Sequence, residues 1–198
     1  MPGERRAAQA RCDPATDADA AELLGRCGFP APGTPVRCAC SGGPDSTALV
    51  ALAVAAGCRV TAVHVRHGLR DDEPDLSAVR GAADALGVDL DVHRLSVEDG
   101  PNLEARARRA RRAVVGADTL TGHTADDAAE TVLLALMRGA GARGLGSIPP
   151  GPSHPLLALR RRETRALCDR LGLPYVDDPT NESPRFRRNR VRHELLPL

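Results

Sequence analysis

Short apolar runs rich in β-branched residues alternate with helix-length segments along most of this chain, and no other feature narrows the fold as much. Val36–Cys40, Arg59–Val65, Val88–Leu95 and Ala117–Thr121 read as strands. Between and after them, Thr47–Ala56, Asp75–Leu86, Asn102–Val115, Ala125–Arg138 and Arg161–Leu171 read as helices, several closed by a following glycine. A further short helix is expected within 17–28, with Asp17 as its cap and Gly28 as its stop. Strands separated by helices of this length form βαβ units, so the expectation is an α/β fold with a doubly wound parallel sheet. A short helical extension closes the chain after the Gly/Pro-rich stretch 139–155. The expected organisation is an N-terminal helix and linker (1–33), a nucleotide-binding core (34–145) and a remainder (146–198) ending in a basic helix.

Composition removes whole classes of chemistry. Aromatics are 2% of the chain, so the core must be aliphatic. The 27 basic residues nearly balance the 26 acidic ones, and every one of the 27 is arginine. Without lysine, neither a G-x-x-x-x-G-K-[ST] phosphate loop nor a Schiff-base enzyme can be built. The six cysteines include no C-x-x-C pair, which argues against a zinc or redox framework. No run approaches 18 apolar residues and the N-terminus lacks an apolar signal region, so a cytoplasmic protein without membrane contact is expected.

The hexamer Ser41-Gly42-Gly43-Pro44-Asp45-Ser46 falls between the first strand and its helix. Two glycines let backbone approach an anion closely, and the helix start directs unpaired N–H groups and a positive dipole end toward it. Ser41 and Ser46 add hydroxyls, and Asp45 offers a carboxylate to Mg²⁺, which prefers oxygen ligands and substrate phosphates. The competing reading is a simple Gly-Pro-Asp turn.

Two further constellations carry charge. His123, Asp126, Asp127 and Glu130 gather at a strand end and on the first turns of a helix, suited to Mg²⁺ or an ammonium group. Pairing of Asp126 and Asp127 with the helix dipole is the alternative. Arg108 and Arg112 stack at i,i+4 on the Asn102–Val115 helix, where a solvated face bridged to Glu104 competes with phosphate binding. Arg185, Arg187, Arg188, Arg190 and Arg192 crowd the C-terminal segment as a candidate phosphate-contacting face.

SGGPDS resembles the SGG-x-DS loop of the N-type ATP pyrophosphatases. Four more segments resemble, in order and spacing, those of bacterial tRNA(Ile)-lysidine synthetases: HVRHGLR (64–70), NLEARARRARR (102–112), GHTADDAAETVLLALMRGAGARGL (122–145) and DDPTNESPRFRRNRVRHELLP (177–197). The resemblance implies an adenine nucleotide α-hydrolase-like sheet and an ATP co-substrate with Mg²⁺ on Asp45. It implies a loop of Ser41, Gly42, Gly43, Pro44, Asp45 and Ser46 holding the departing pyrophosphate, with His64 near the adenine. The implied reaction adenylates the wobble cytidine of a tRNA(Ile) bearing a CAU anticodon, after which the ε-amine of L-lysine displaces AMP. Arg108 matches the family's functional arginine. Asp127, Glu130 or His123 is the implied base for the amine, and the C-terminal arginines are the implied tRNA contacts. His154 stands where relatives carry arginine in R-P-L-L. Relatives also imply a homodimer and a C-terminal tRNA-binding extension, and that extension is expected to be absent here. Two rival readings stand: another tRNA-modifying or amidating enzyme of the superfamily, such as a thiolase, and a nucleotide-binding module that needs a partner for tRNA.

Overall fold

The computed structural model describes residues 13–66, 72–95, 116, 118–141, 145–178, 183 and 185–196. Helix α1 (Ala18–Leu24) opens on Asp17, whose carboxylate accepts the N–H groups of Asp19 and Ala20 at 3.0 Å. Strand β1 (Pro35–Ala39), helix α2 (Pro44–Ala55), strand β2 (Arg59–Arg66), helix α3 (Glu73–Leu86) and strand β3 (Asp89–Arg94) follow in the expected alternation. Helices α4 (Ala125–Leu136) and α5 (Arg161–Leu171) come next. Then α6 (Arg187–Arg190) runs directly into a π-helical segment, Val191–Leu195. The expected helix at Asn102–Val115, and with it Arg108, lies outside the described residues.

The sheet is parallel in the order β1-β2-β3, with Val36 opposite Val60 and Ala62 opposite Leu90. On the free edge of β1, Leu120 forms a parallel bridge to Cys38. Its N–H donates to the Arg37 carbonyl at 2.8 Å, and its carbonyl accepts from Ala39 at 2.9 Å. The chain therefore crosses from β3 to the far side of β1, which makes a reversal of strand order beside β1, where open α/β sheets bind ligands. The full strand expected at Ala117–Thr121 is corrected to this single bridge. Pairing stops because the Thr121 N–H turns to the Ser153 carbonyl at 2.9 Å instead of to β1.

Two helices start earlier than their apolar periodicity suggests, both at prolines. Pro44 enters the first turn of α2 and Pro74 that of α3, where a fixed φ suits the helix and a missing N–H costs nothing. Half of the SGGPDS hexamer is thus helix, not loop. Helix α2 is buried on every side: Ala48, Leu49, Ala51, Leu52 and Ala53 are all inaccessible to solvent. Ala20 and Leu23 of α1 and Leu167, Cys168 and Leu171 of α5 join α2 and the sheet in one aliphatic core. The segments expected as linker and remainder therefore share the core's interior. No helix among the described residues is long and apolar enough to cross a membrane.

Candidate active site

The loop after β1 is shaped by its own backbone and by two serines. Cys40 still pairs with β2, its N–H donating to the Val63 carbonyl at 2.8 Å. Gly42 then takes φ of +94°, a left-handed conformation that favours glycine. A Cβ at Gly42 would also lie 3.1 Å from the carbonyl oxygen and 3.2 Å from the Cα of Asp75. Gly43 is the N-cap of α2 and no side chain caps the helix by a hydrogen bond, and a helix start of this kind suits an anion. Ser46 organises the turn: its hydroxyl donates to the Gly43 carbonyl at 2.9 Å and accepts the Ser41 N–H at 3.1 Å, with Ser41 Oγ 3.2 Å away. Beneath the loop, buried His64 donates through Nδ1 to the Cys40 carbonyl at 2.8 Å, and its Nε2 is buried with no partner.

The segment after Leu120 crosses directly over this helix start. A Cβ on Gly122 would lie 2.7 Å from the Asp45 carbonyl oxygen and 2.9 Å from its carbon, so only glycine fits there. Asp45 in turn reaches across to α5. Its carboxylate accepts from the Thr164 hydroxyl and, at 3.3 Å, from Arg161 Nε. Burial pushes the Asp45 carboxyl upward, while Thr164 and Arg161 pull it back.

Arg161 joins the loop to an acidic pocket. Its Nη2 donates to Asp127 at 2.9 Å, its Nη1 to Glu130 at 3.0 Å, and its backbone N–H to Asp126 at 2.9 Å. Asp127 also caps α4, accepting the Thr124 N–H at 2.9 Å and the Thr124 hydroxyl at 3.1 Å. Glu130 is fully buried. Arg188 Nε reaches it at 2.5 Å and Arg192 Nε at 2.8 Å, in addition to Arg161. Burial pushes the Glu130 carboxyl up, but hydrogen bonds from Arg192 and Arg188 and the charge of Arg161 outweigh it and hold it down at about 2. Glu130 thus pairs with three arginines, Arg161, Arg188 and Arg192.

The arginine cluster divides likewise. Arg188 and Arg192, expected to face a nucleic acid, turn inward, because a buried carboxylate must be paired. Arg190 bridges to Glu194 at 3.1 Å. Arg185 and Arg187 are exposed and remain available to an outside phosphate. His123 lies apart from these contacts, its Nδ1 2.8 Å from Thr121 Oγ1.

Sequence reading missed Arg161, Thr164 and Thr121. Arg161 is the middle of three consecutive arginines, and nothing local singles it out. For Mg²⁺, Asp45 supplies a single carboxylate at the loop. That donor set suits an ion held chiefly by nucleotide phosphates and water, and no group of three potential ligands occurs among the described residues.

A parallel α/β sheet with a glycine-rich anion cradle at its strand-order reversal defines a nucleotide-binding class, and the comparisons with known proteins make it specific. The PP-loop domain matches residues 22–198, so the chain belongs to the PP-loop domain family. It is 47% identical over 174 residues to a tRNA(Ile)-lysidine synthase of Nocardia farcinica, covering 82% of this chain and 54% of that protein. It is 49% identical over 173 residues to a tRNA(Ile)-lysidine synthase of Mycolicibacterium paratuberculosis, covering 81% and 52%. The chain thus spans about half the length of the curated relatives it matches. Among solved structures, the U34-tRNA thiolase NcsA from Methanococcus maripaludis with its [4Fe-4S] cluster shares the fold. The TM-score is 0.64 at 18% identity, over 86% of this chain and 67% of that one. NMN synthetase from Francisella tularensis does so with a TM-score of 0.53 at 17% identity, over 79% and 70%. Cys38 of β1 is fully buried, and burial pushes its thiol up to about 12.

Proposed function

We propose that this chain carries the catalytic centre of a tRNA(Ile)-lysidine synthetase. The reaction is ATP-dependent ligation of L-lysine to the wobble cytidine of a CAU-anticodon isoleucine tRNA, releasing AMP and pyrophosphate in the cytoplasm. The observation that carries the reading is Asp45, which belongs at once to the anion cradle and, through Arg161, to the acidic pocket of Asp127 and Glu130. That link supports a phosphate site beside a site for a cationic amine, as a two-step adenylation and amine transfer requires. The identity to the curated relatives supports the same reading.

In this reading Gly42, Gly43 and the N-terminal N–H groups of α2 stabilise charge on the pyrophosphate as it leaves. Ser41 and Ser46 add hydroxyl donors to the same anion. Mg²⁺, when bound beside Asp45, offsets phosphate charge. Asp127 orients the lysine amine, Glu130 fixes the arginines that frame the pocket, and His123 takes the amine proton. The exposed Arg185 and Arg187 meet the tRNA backbone. The test is pyrophosphate release from ATP by the full chain, with lysine and the tRNA each present or omitted. Release that needs both is expected. Equal release with either omitted refutes the reading.

A further inference from the structure

The segment that leaves α5 doubles back onto the loop after β1, and a single guanidinium holds it there. The Val176 N–H donates to the Gly42 carbonyl at 2.8 Å. On either side of Val176, the side chains of Tyr175 and Asp177 return to α5. Arg165 donates through Nη1 to the Tyr175 hydroxyl at 3.2 Å and to Asp177 Oδ2 at 2.9 Å, and through Nη2 to Asp177 Oδ1. Its guanidinium also lies over the Tyr175 ring, 5.2 Å from the centroid. The Tyr175 hydroxyl donates onward to Asp169 at 2.7 Å. Just before it, Pro174 lies so close to α3 that a Cβ on Gly81 would stand 3.0 Å from its Cγ. Residues 174–177 thus form a strap from α3 across to the loop, and the carbonyl it meets is that of Gly42.

That carbonyl shares a peptide with the Gly43 N–H. A trans peptide is planar, and its C=O and N–H point in opposite directions. The two torsions that would turn this plane over, ψ of Gly42 and φ of Gly43, both belong to glycines, so the loop itself opposes rotation little. Gly43 takes φ of −81°, and a Cβ there would meet nothing nearer than Ser41 Oγ at 3.9 Å. Neither strain nor crowding at Gly43 therefore fixes its peptide. The direction matters because α2 has few donors to offer. A helix start presents four unpaired N–H groups, but Pro44, in the first turn, has none. No backbone carbonyl among the described residues accepts the Gly43 N–H. We propose that Arg165 and Asp177 are positioning residues for the phosphate site: through Val176 they anchor the Gly42 carbonyl, which turns the Gly43 N–H toward the anion. The inference rests on the nucleotide reading of the loop, but the strap can be observed without a ligand.

The first measurement is amide hydrogen exchange in the ligand-free full chain, for wild type, Arg165→Gln, Asp177→Asn and the exchanged pair Arg165→Asp with Asp177→Arg. The Val176 N–H should be protected in wild type, lose about ten-fold or more of that protection in each single variant, and regain most of it in the pair. Both side chains are exposed, so melting temperatures should move by a few degrees at most. The second measurement is calorimetric affinity for inorganic pyrophosphate, ATP and adenosine. Pyrophosphate and ATP should bind about 3- to 10-fold more weakly to the single variants, the equivalent of one lost hydrogen bond, and recover in the pair. Adenosine has no phosphate and should bind all four proteins equally, whereas a general loosening of the fold would weaken it too. Unchanged Val176 exchange in the single variants, lost protection with unchanged pyrophosphate affinity, or an equal loss of adenosine affinity overturns the proposal. Wild type with a protected Val176 N–H that binds neither pyrophosphate nor ATP refutes the nucleotide reading, and the strap then has no anion to serve.

Discussion

Replacing Glu130 by glutamine tests the arrangement at its centre. The side chain is fully buried and accepts from Arg161, Arg188 and Arg192. Glutamine keeps the shape, removes the charge and turns an NH₂ group toward a guanidinium. Its carboxyl stands at about 2 against an ordinary 4.5. At about 1.4 kcal/mol per pKa unit, that difference corresponds to about 3 kcal/mol of stability at neutral pH. The usual cost of breaking a buried ion pair, about 3–5 kcal/mol, agrees. In a domain of this size the melting temperature should fall by about 6–12 °C, measured by calorimetry or urea unfolding. The pH dependence gives a sharper signature. Because the folded-state pKa is depressed, the contribution is complete above about 4.5 and disappears as pH falls toward 2. The gap between wild type and Glu130→Gln should be constant from pH 7 to 5.5 and shrink by more than half by about pH 3. A loss under about 1 kcal/mol at pH 7, or a gap that ignores pH, would refute the charge-anchoring role.

Other substitutions separate the cradle from the arginine face. Gly122→Ala puts a methyl group 2.7 Å from the Asp45 carbonyl oxygen. Backbone on both sides prevents relief, so calorimetric ATP affinity should fall about ten-fold or more; unchanged affinity would show that the crossing segment does not shape the cradle. Arg188→Ala and Arg192→Ala should each lower the melting temperature by several degrees, because each strips a partner from buried Glu130. Arg185→Ala and Arg187→Ala should leave stability unchanged and reduce the slope of log affinity for tRNA against log salt by about 0.7–0.9 per lost phosphate contact. Equal effects from both pairs would refute the division into inward and outward arginines.

The alternation that fixed the fold class was legible because β-branched runs and glycine stops act locally, and α5 appears at Arg161–Leu171 as its periodicity predicts. The early start of α2 was also available, since a proline after two glycines suits a first helical turn better than a loop. The bridge at Leu120 was not, because an N–H taken by Ser153 depends on a segment that sequence shows only as Gly/Pro-rich coil. The site was legible in its anionic half alone. SGGPDS announces a cradle, and Asp127 with Glu130 announce a pocket. Which arginines close that pocket depends on contacts spanning tens of residues, such as Arg161 with Asp45. An arginine that faces solvent and one that faces a buried carboxylate look identical in the sequence.

That ambiguity matters more in a chain whose 27 cations are all arginine. Arg161 touches Asp45 through Nε, Glu130 through Nη1 and Asp127 through Nη2. A guanidinium can do this because its donors point in fixed, separate directions, whereas an ammonium offers one compact charge. The three carboxylates come from the start of α2 and from two turns of α4, so a single side chain of α5 ties the anion cradle to the acidic pocket. Arg188 and Arg192 add the C-terminal helical segment to the same brace through Glu130. A ligand cation that binds Asp127 must therefore compete with the Arg161 guanidinium, which also contacts Asp45. The adjacency of the two half-sites, from which the ligase reading follows, is thus built by arginine geometry and not by the loop motif alone.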